Sequence, residues 1–249
     1  GGDTNQWQPS LYEGTLPVDG SDRPEGYLLD ADMADKAIKW VHNQKAAAPD
    51  KPFFIYYAPG STHAPHQAPK EWIAKFKGRF DHGWDRERAL IFEHQKALGM
   101  VPKGTQLTPR PDTIPAWDSL SAVEQKVFAR FMEVFAAQLA YQDAQFGRIM
   151  DELNRMGLAD NTLVIFIEGD NGSSAEGART GTVNELADFT SSGGHDIDIP
   201  WLAENLDVLG GPETFQGFQS GWTYATNAPF PWLKQLASHL GGVRNGMVV

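Results

Sequence analysis

Two strand-like runs in this sequence each end in side chains that can carry out chemistry. Asp170 and Asn171 close an apolar run in the second half of the chain, and His63 lies in the loop after the aromatic run 52–57. Carboxylate and amide oxygens are the ligands that hard divalent cations prefer, and an imidazole exchanges protons near neutral pH. The two runs together predict a metal-assisted ester hydrolase that acts on anionic substrates.

The elements that must position these side chains follow a helix-then-strand order in each half of the chain. Apolar residues at helical spacing over 33–41 precede the run 52–57, and a long amphipathic helix predicted over 121–156 precedes the strand that starts at Leu163. Ser121 and Glu124 have the spacing of a capping box at the start of the long helix. This order predicts an α/β fold with a mostly parallel sheet, whose sites form beyond the carboxyl ends of the strands.

The chain is predicted to be a single partial catalytic domain over 1–249 with four parts. An irregular arm rich in Pro and Gly covers 1–30, a helix–strand core covers 31–177, a loop-rich segment covers 178–229, and a terminal helix lies in 230–249. The chain opens on Gly-Gly without a methionine and stops as a strand-like run begins. We therefore expect a section that is truncated at both ends.

Composition and charge exclude several classes of protein. With 249 residues, of which 41% are hydrophobic, the chain can bury a substantial core. A formal net charge of −11 without a basic patch argues against a nucleic-acid or anionic-membrane partner. No apolar run approaches the length of a membrane span, and no targeting segment is recognisable. The absence of cysteine excludes disulfides and thiolate ligands, and the compartment stays open.

Three blocks of sequence, in this order, resemble the type I arylsulfatases of the alkaline-phosphatase superfamily. They are the strand and loop over 53–65, the Asp-Asn-Gly and Ala-Glu-Gly sequences within 170–177, and the segment 232–242. A lone Asp-Asn-Gly is a common turn, so the order of the blocks carries the likeness, which extends over nearly the whole chain. The resemblance implies an alkaline-phosphatase-like fold and hydrolysis of a small-molecule sulfuric ester of the aryl sulfate type.

The resemblance also implies a role for each matching residue. Asp170 and Asn171 correspond to metal ligands, for calcium or in some members magnesium. His63 corresponds to a histidine beside the sulfate and a plausible proton donor, and Lys234 to the lysine that pairs with sulfate. His239 is predicted either to bind substrate or to cap a helix.

The nucleophile that the resemblance implies is missing from this sequence. In the family, a cysteine or serine in a Cys/Ser-x-Pro-x-Arg signature becomes formylglycine, whose hydrated aldehyde attacks sulfur. The chain has no cysteine, and none of its serines has the required proline and arginine. We therefore expect formylglycine in a parent enzyme and no activity from this chain alone. Because Asp170 and Asn171 supply only a few of the six to eight oxygens that calcium takes, we also expect weak or undetectable metal affinity.

Several alternatives stay open from the residues alone. Asp170 and Asn171 could form only a turn, His66 could be mistaken for His63, and Glu168 could either support the metal loop or face water. Four aromatic residues could line a cleft for an aryl sulfate or simply pack in the core: Trp222, Tyr224, Phe230 and Trp232. The alternative functions are a phosphodiesterase or phosphonate hydrolase of the same superfamily, and a non-catalytic module that lost its nucleophile.

Overall fold

The fold is a layer of helices with short strands, seen in a computed structural model that describes residues 4–21, 23–190 and 197–249, excluding the side chains of 188–190. The α-helices are α1 (Leu29–Ala47), α2 (Lys70–Ala74), α3 (Gly83–Ala97), α4 (Ala122–Arg155), α5 (Glu185–Thr190), α6 (Ile199–Glu204), α7 (Ser220–Thr226) and α8 (Leu240–Val243). The strands are β1 (Tyr12–Glu13), β2 (Leu16–Pro17), β3 (Phe166–Glu168) and β4 (Gly246–Val248).

The long helix α4 begins where its capping box predicts. The Ser121 hydroxyl accepts a hydrogen bond from the Glu124 backbone N–H at 3.3 Å, and Glu124 Oε2 accepts one from the Ser121 backbone N–H at 2.8 Å. Both bonds satisfy N–H groups that a helix start leaves without a partner. Gly157 follows the helix with a φ of 68°, the left-handed conformation that favours glycine after a helix. The predicted helix over 121–156 is therefore confirmed.

A cluster of tryptophans on α3, α7 and the preceding loops fills the core against α4. The Trp84 ring lies 4.8 Å from Trp117 and 5.8 Å from Trp222, and Trp222 Nε1 donates to the Phe128 carbonyl at 2.8 Å. A Cβ atom at Gly221 would lie 2.3 Å from the Trp84 ring, so only glycine lets α7 approach α3 so closely. This packing joins the first half of the chain to the segment that leads to Lys234.

The predicted mostly parallel sheet is not confirmed. Within the described residues the strands form two antiparallel pairs, β1 with β2 and β3 with β4. The run 52–57, predicted as a buried strand, has no assigned strand, and its Phe54 and Tyr56 side chains are each 84% exposed. The prediction of burial is therefore wrong. The aromatic composition indicated a strand buried on both faces, whereas only one face of the run is covered.

Both extended segments contact the helix α4, and the segment 52–57 also contacts α1. Phe53 contacts Trp40 of α1 at 6.3 Å between ring centroids, and Tyr57 contacts Phe146 of α4 at 6.5 Å. Phe166 of β3 contacts the same Phe146 at 5.2 Å. The segments 52–57 and 163–168 therefore meet at the same residue of α4, and each leads into a loop that carries predicted site residues.

The terminal helix predicted in 230–249 is largely absent. Turns occupy 230–239, α8 spans only four residues, and β4 pairs antiparallel with β3. Trp232 and Gln235 have φ values of 66° and 78°, which an α-helix does not allow, and Pro231 lacks a backbone N–H. In the described part of the chain, no helix combines the length and apolar character needed to cross a bilayer.

Candidate active site

Lys234 and His63, far apart in the sequence, meet in the structure. Lys234 Nζ lies 2.9 Å from His63 Nε2, and the Lys234 side chain is only 20% exposed. Two of the predicted site residues are therefore in direct contact. Because an ammonium can only donate, Nε2 of His63 is the acceptor in this hydrogen bond.

The other nitrogen of His63 defines its tautomer. Nδ1 lies 2.8 Å from the backbone carbonyl oxygen of Ala64, which can only accept. Nδ1 therefore carries the hydrogen, and His63 is held as the neutral Nδ1–H tautomer. In this arrangement Nε2 can act as a proton donor only after it has left Lys234 and gained a proton.

The loop that carries His63 is anchored on both sides. Ser61 donates from its hydroxyl to Asp30 Oδ2 at 2.6 Å, and Gln138 of α4 donates to the Pro65 carbonyl at 3.1 Å. Asp30 is fully buried, and burial raises its pKa despite the opposing hydrogen bonds from Ser61 and Gln6. The helical layer thereby fixes the position of the histidine.

His66 is a core residue, and this distinguishes it from His63, which contacts Lys234. Its ring stacks on Phe218 at 4.9 Å and meets Phe135 edge-on at 5.0 Å. Burial, and secondarily the proximity of His63, lower the pKa of His66 to about 3. His66 therefore stays neutral at physiological pH.

Glu176 is a third member of this group to which the sequence assigned no role. Its Oε1 lies 3.5 Å from Lys234 Nζ, and its Oε2 accepts a hydrogen bond from the Ser174 hydroxyl at 2.7 Å. Burial opposes its ionisation, but hydrogen bonds with Ser174 and Glu185 and the charge of Lys234, with the smallest contribution from His63 when that ring is protonated, lower its pKa overall. The only sequence signal was its place in the block 170–177.

The loop predicted to bind metal lies against the segment that carries Lys234. The Lys234 backbone N–H donates to the Ser173 carbonyl at 3.1 Å, and the Gly172 N–H donates to the Gly242 carbonyl at 2.9 Å. A Cβ atom on Gly172 would lie 1.8 Å from the Gly241 carbonyl oxygen, so this approach requires glycine. The backbone thus brings the second and third sequence blocks together.

The donors in the metal-predicted loop match part of the needs of a hard cation. Asn171 Nδ2 donates to Asp170 Oδ1 at 2.7 Å, so the two predicted ligands are adjacent in space, and the Asp170 side chain is exposed. Calcium takes six to eight oxygen ligands. Across residues 4–21, 23–190 and 197–249 no group of three or more His, Asp or Glu side chains could hold a metal ion. The donor types fit calcium or magnesium, whereas their number leaves most of the coordination shell unfilled.

His239 lies at the start of α8, beside an exposed tryptophan. It occupies the N-cap position without a side-chain capping bond, its ring centroid is 5.3 Å from that of Trp232, and its Nδ1 lies 2.9 Å from the Ser238 hydroxyl. Glu168 is the exposed last residue of β3. The structure places neither side chain in the contacts between Lys234, His63 and Glu176.

The four aromatic residues considered for a substrate cleft divide clearly by burial. Trp222 and Tyr224 are buried in the core, where the alternative of simple packing is confirmed. Trp232 is 51% exposed and lies two residues before Lys234. Phe230 is partly buried, and Arg244 lies over its ring. Only Trp232 of the four combines exposure with a position beside the lysine.

Comparisons with known proteins all point to one family. The Sulfatase family model matches residues 1–249. The chain is similar to an arylsulfatase of Klebsiella aerogenes, with 27% identity over 259 residues covering all of this chain and 52% of that protein. It is also similar to an uncharacterised sulfatase of Schizosaccharomyces pombe, with 32% identity over 213 residues covering 85% of this chain and 36% of that protein.

A more distant relative is the mouse iduronate 2-sulfatase, 24% identical over 157 residues covering 60% of this chain and 27% of that protein. The chain thus spans about half the length of the arylsulfatase and a smaller share of the others. The family match over the whole chain supports hydrolysis of sulfate esters in general as the activity of the group. The chain belongs to the sulfatase family.

Proposed function

We propose that this chain carries the sulfate-binding part of a hydrolase active site for sulfuric esters. The observation that carries the proposal is the 2.9 Å contact between Lys234 Nζ and His63 Nε2. A partly buried ammonium beside an imidazole forms an anion site in which electrostatic attraction is less screened than at the surface. The match to the Sulfatase family and the similarity to an arylsulfatase support sulfate as the anion.

The roles of the two side chains follow from their hydrogen bonds. A sulfate oxygen would accept a hydrogen bond from Lys234 in place of His63 Nε2, which releases Nε2. Lys234 then balances the negative charge that develops on the ester, and a protonated His63 can donate to the leaving oxygen. Ala64 keeps its bond to Nδ1 throughout, so the imidazole holds its orientation.

Asp170 and Asn171 are proposed as part of the shell of a divalent cation, calcium or alternatively magnesium. A bound cation would offset the charge of the sulfate. The remaining ligands, and a formylglycine nucleophile, would have to come from residues other than those of this sequence. The isolated chain is therefore proposed to be inactive and to bind calcium weakly, and isothermal titration with calcium showing tight binding would contradict the second point.

An aryl group on the substrate is supported by one residue. Trp232 is half exposed and lies on the same turn as Lys234. Its indole could pack against an aromatic ring whose sulfate contacts the lysine. His239, which contacts Trp232, is proposed to contribute to this same substrate surface.

The first test is anion binding by the 249-residue chain. Titration with sodium sulfate, followed by NMR of the lysine and histidine side chains, should shift the Lys234 and His63 signals. Lys234→Met should weaken the affinity for sulfate about tenfold or more, because it removes the only strong donor in the pair. Lys126→Met, at an exposed lysine of α4, is the matched control and should change nothing.

The result that would end the proposal is a sulfate titration in which Lys234→Met and Lys126→Met behave alike.

Substrate class is tested on any longer protein that contains this chain, with 4-nitrophenyl sulfate and 4-nitrophenyl phosphate. Faster hydrolysis of the sulfate ester is expected, whereas faster hydrolysis of the phosphate ester would favour the phosphodiesterase alternative.

A further inference from the structure

We propose that Glu176 is a positioning residue, which holds the Lys234 ammonium so that it donates to His63 Nε2. The inference rests on the proposed anion site and adds a residue to which neither the sequence nor the family match assigns a role. Glu176 does not touch His63 in the contacts described above. Besides the electrostatic interaction between the two side chains, its effect on the histidine passes through Lys234.

Both oxygens of Glu176 are held in place. Oε2 accepts from the Ser174 hydroxyl at 2.7 Å, and Oε1 accepts from Gln235 Nε2 at 3.4 Å while facing Lys234 Nζ at 3.5 Å. The Glu176 side chain is 16% exposed, so solvent screens this attraction only partly. The carboxylate is thus a fixed anchor for the ammonium.

The ammonium has enough donors to serve Glu176, His63 and a substrate. Its three N–H groups point in different directions, and the two contacts described for it use two of them. The third can meet an incoming oxyanion before a sulfate oxygen takes the place of His63 Nε2. A freely rotating lysine would spread these donors over many conformations, and the entropy of fixing them would oppose anion binding.

The backbone around Lys234 is arranged for these contacts. Trp232 and Gln235 both have left-handed φ values, which are unfavourable for residues with a side chain, and Lys234 lies between them. This turn directs Lys234 and Gln235 toward the same carboxylate. On the other side, a Cβ atom at Gly177 would lie 2.3 Å from the Phe218 carbonyl oxygen, so glycine allows the close approach that sets the position of Glu176.

Charge makes the inference testable, because Glu176 also repels an anion. Among the described residues, the charged or titratable groups that face it are Lys234, His63 and Glu185. The lowered pKa of Glu176 indicates that it is a carboxylate at neutral pH. Removing its charge should therefore strengthen sulfate binding while it loosens the lysine, a combination that simple unfolding of the site would not produce.

The experiment compares Glu176→Gln, Glu176→Asp and the control Glu25→Gln, which removes the same charge at an exposed position. Two-dimensional nitrogen–proton NMR of the histidine rings reports the tautomer of His63 and the hydrogen bond at its Nε2, and the His63 signals are assigned from the spectrum of His63→Gln. The wild type should show the Nδ1–H tautomer with a hydrogen-bonded Nε2. Both Glu176 variants should keep this tautomer, which the Ala64 carbonyl holds, but their Nε2 signal should move toward that of an imidazole without a hydrogen bond at Nε2. Glu25→Gln should match the wild type.

Sulfate titration supplies the second measurement. Glu176→Gln should bind sulfate about three- to tenfold more tightly than the wild type because the site gains one unit of positive charge. Glu176→Asp keeps the charge but shortens the reach, so its affinity should stay equal or fall. The Asp variant also keeps the test informative if Glu176→Gln fails to fold.

The Nε2 signal is read without any anion, so the two proposals can fail separately. If sulfate shifts no signals in the wild type, the proposed function fails, and the Nε2 signal still reports on Glu176. If the His63 Nε2 signal in both folded Glu176 variants equals that of the wild type, Glu176 does not position the pair and the inference is wrong.

Discussion

The aromatic core around α4 and the extended segments 52–57 and 163–168 are built from similar residues with opposite exposure. Trp84 and Trp222 are completely buried, whereas Phe54 and Tyr56 are each 84% exposed. Leu163, Ile165 and Ile167 repeat this pattern in the second segment. The difference shows that an apolar side chain stabilises a fold only where a second surface covers it.

The comparison also explains where the candidate site lies. The core holds α4 and α7 together, and the extended segments lead from the covered face of the helices to His63 and to Asp170. Lys234 arrives from the other direction, through the turn after α7. The site is therefore placed by contacts of the buried region, although its residues lie in loops.

The largest expected effect tests the buried region. Trp222→Ala should lower the free energy of unfolding by about 3–5 kcal/mol, because it removes a fully buried ring and leaves a cavity. Urea unfolding followed by circular dichroism measures the change. Trp232→Ala is the matched control at a half-exposed tryptophan and should cost less than about 1 kcal/mol. Equal losses in the two variants would contradict the dependence of the stabilisation on burial.

Asp30 of α1, which is bonded to Ser61 in the loop after the segment 52–57, gives an intermediate effect that depends on pH. Burial raises the pKa of Asp30 above its unfolded value, so the folded state binds the proton more tightly than the unfolded state. The resulting stabilisation is complete below the unfolded pKa of 3.8 and is lost as the pH rises through the folded pKa.

Asp30→Asn removes this titration and can still accept the hydrogen bond from Ser61. We expect the variant to be more stable than the wild type at pH 7, by about 1 kcal/mol, with a smaller difference near pH 4. Thermal unfolding at a series of pH values measures this. A variant that loses stability at pH 7 would show that the charge of Asp30 is needed by its neighbours.

The smallest effect tests the uncovered face. Phe54→Ser should change the free energy of unfolding by less than about 0.5 kcal/mol, because the ring is largely in water already. Phe53→Ser, at the neighbouring residue that contacts Trp40, should cost more. Chemical unfolding of both variants provides the comparison, and a larger loss for Phe54→Ser would mean that its face is covered in solution.

Local signals in the sequence predicted local structure well. Ser121 and Glu124 form their capping box because both partners lie within one helical turn, and the final strand-like run becomes β4. The prediction failed at the turn after Pro231, where contacts with Ser173 and Glu176 hold the backbone in conformations that no helix allows. A parallel sheet was likewise not confirmed, since strand pairing depends on segments far away in the chain.

By itself, the sequence determined which residues can carry out chemistry, namely His63, Lys234, Asp170 and Asn171. It also determined the family resemblance that relates them to a sulfate ester. Only the tertiary structure decided that Lys234 donates to His63, that His66 is a buried core residue, and that Glu176 joins the pair. The physical reason is the separation along the chain over which each kind of interaction acts. Side-chain chemistry and helix caps are encoded within a few residues, whereas burial and ion pairing depend on which distant surfaces the fold brings together.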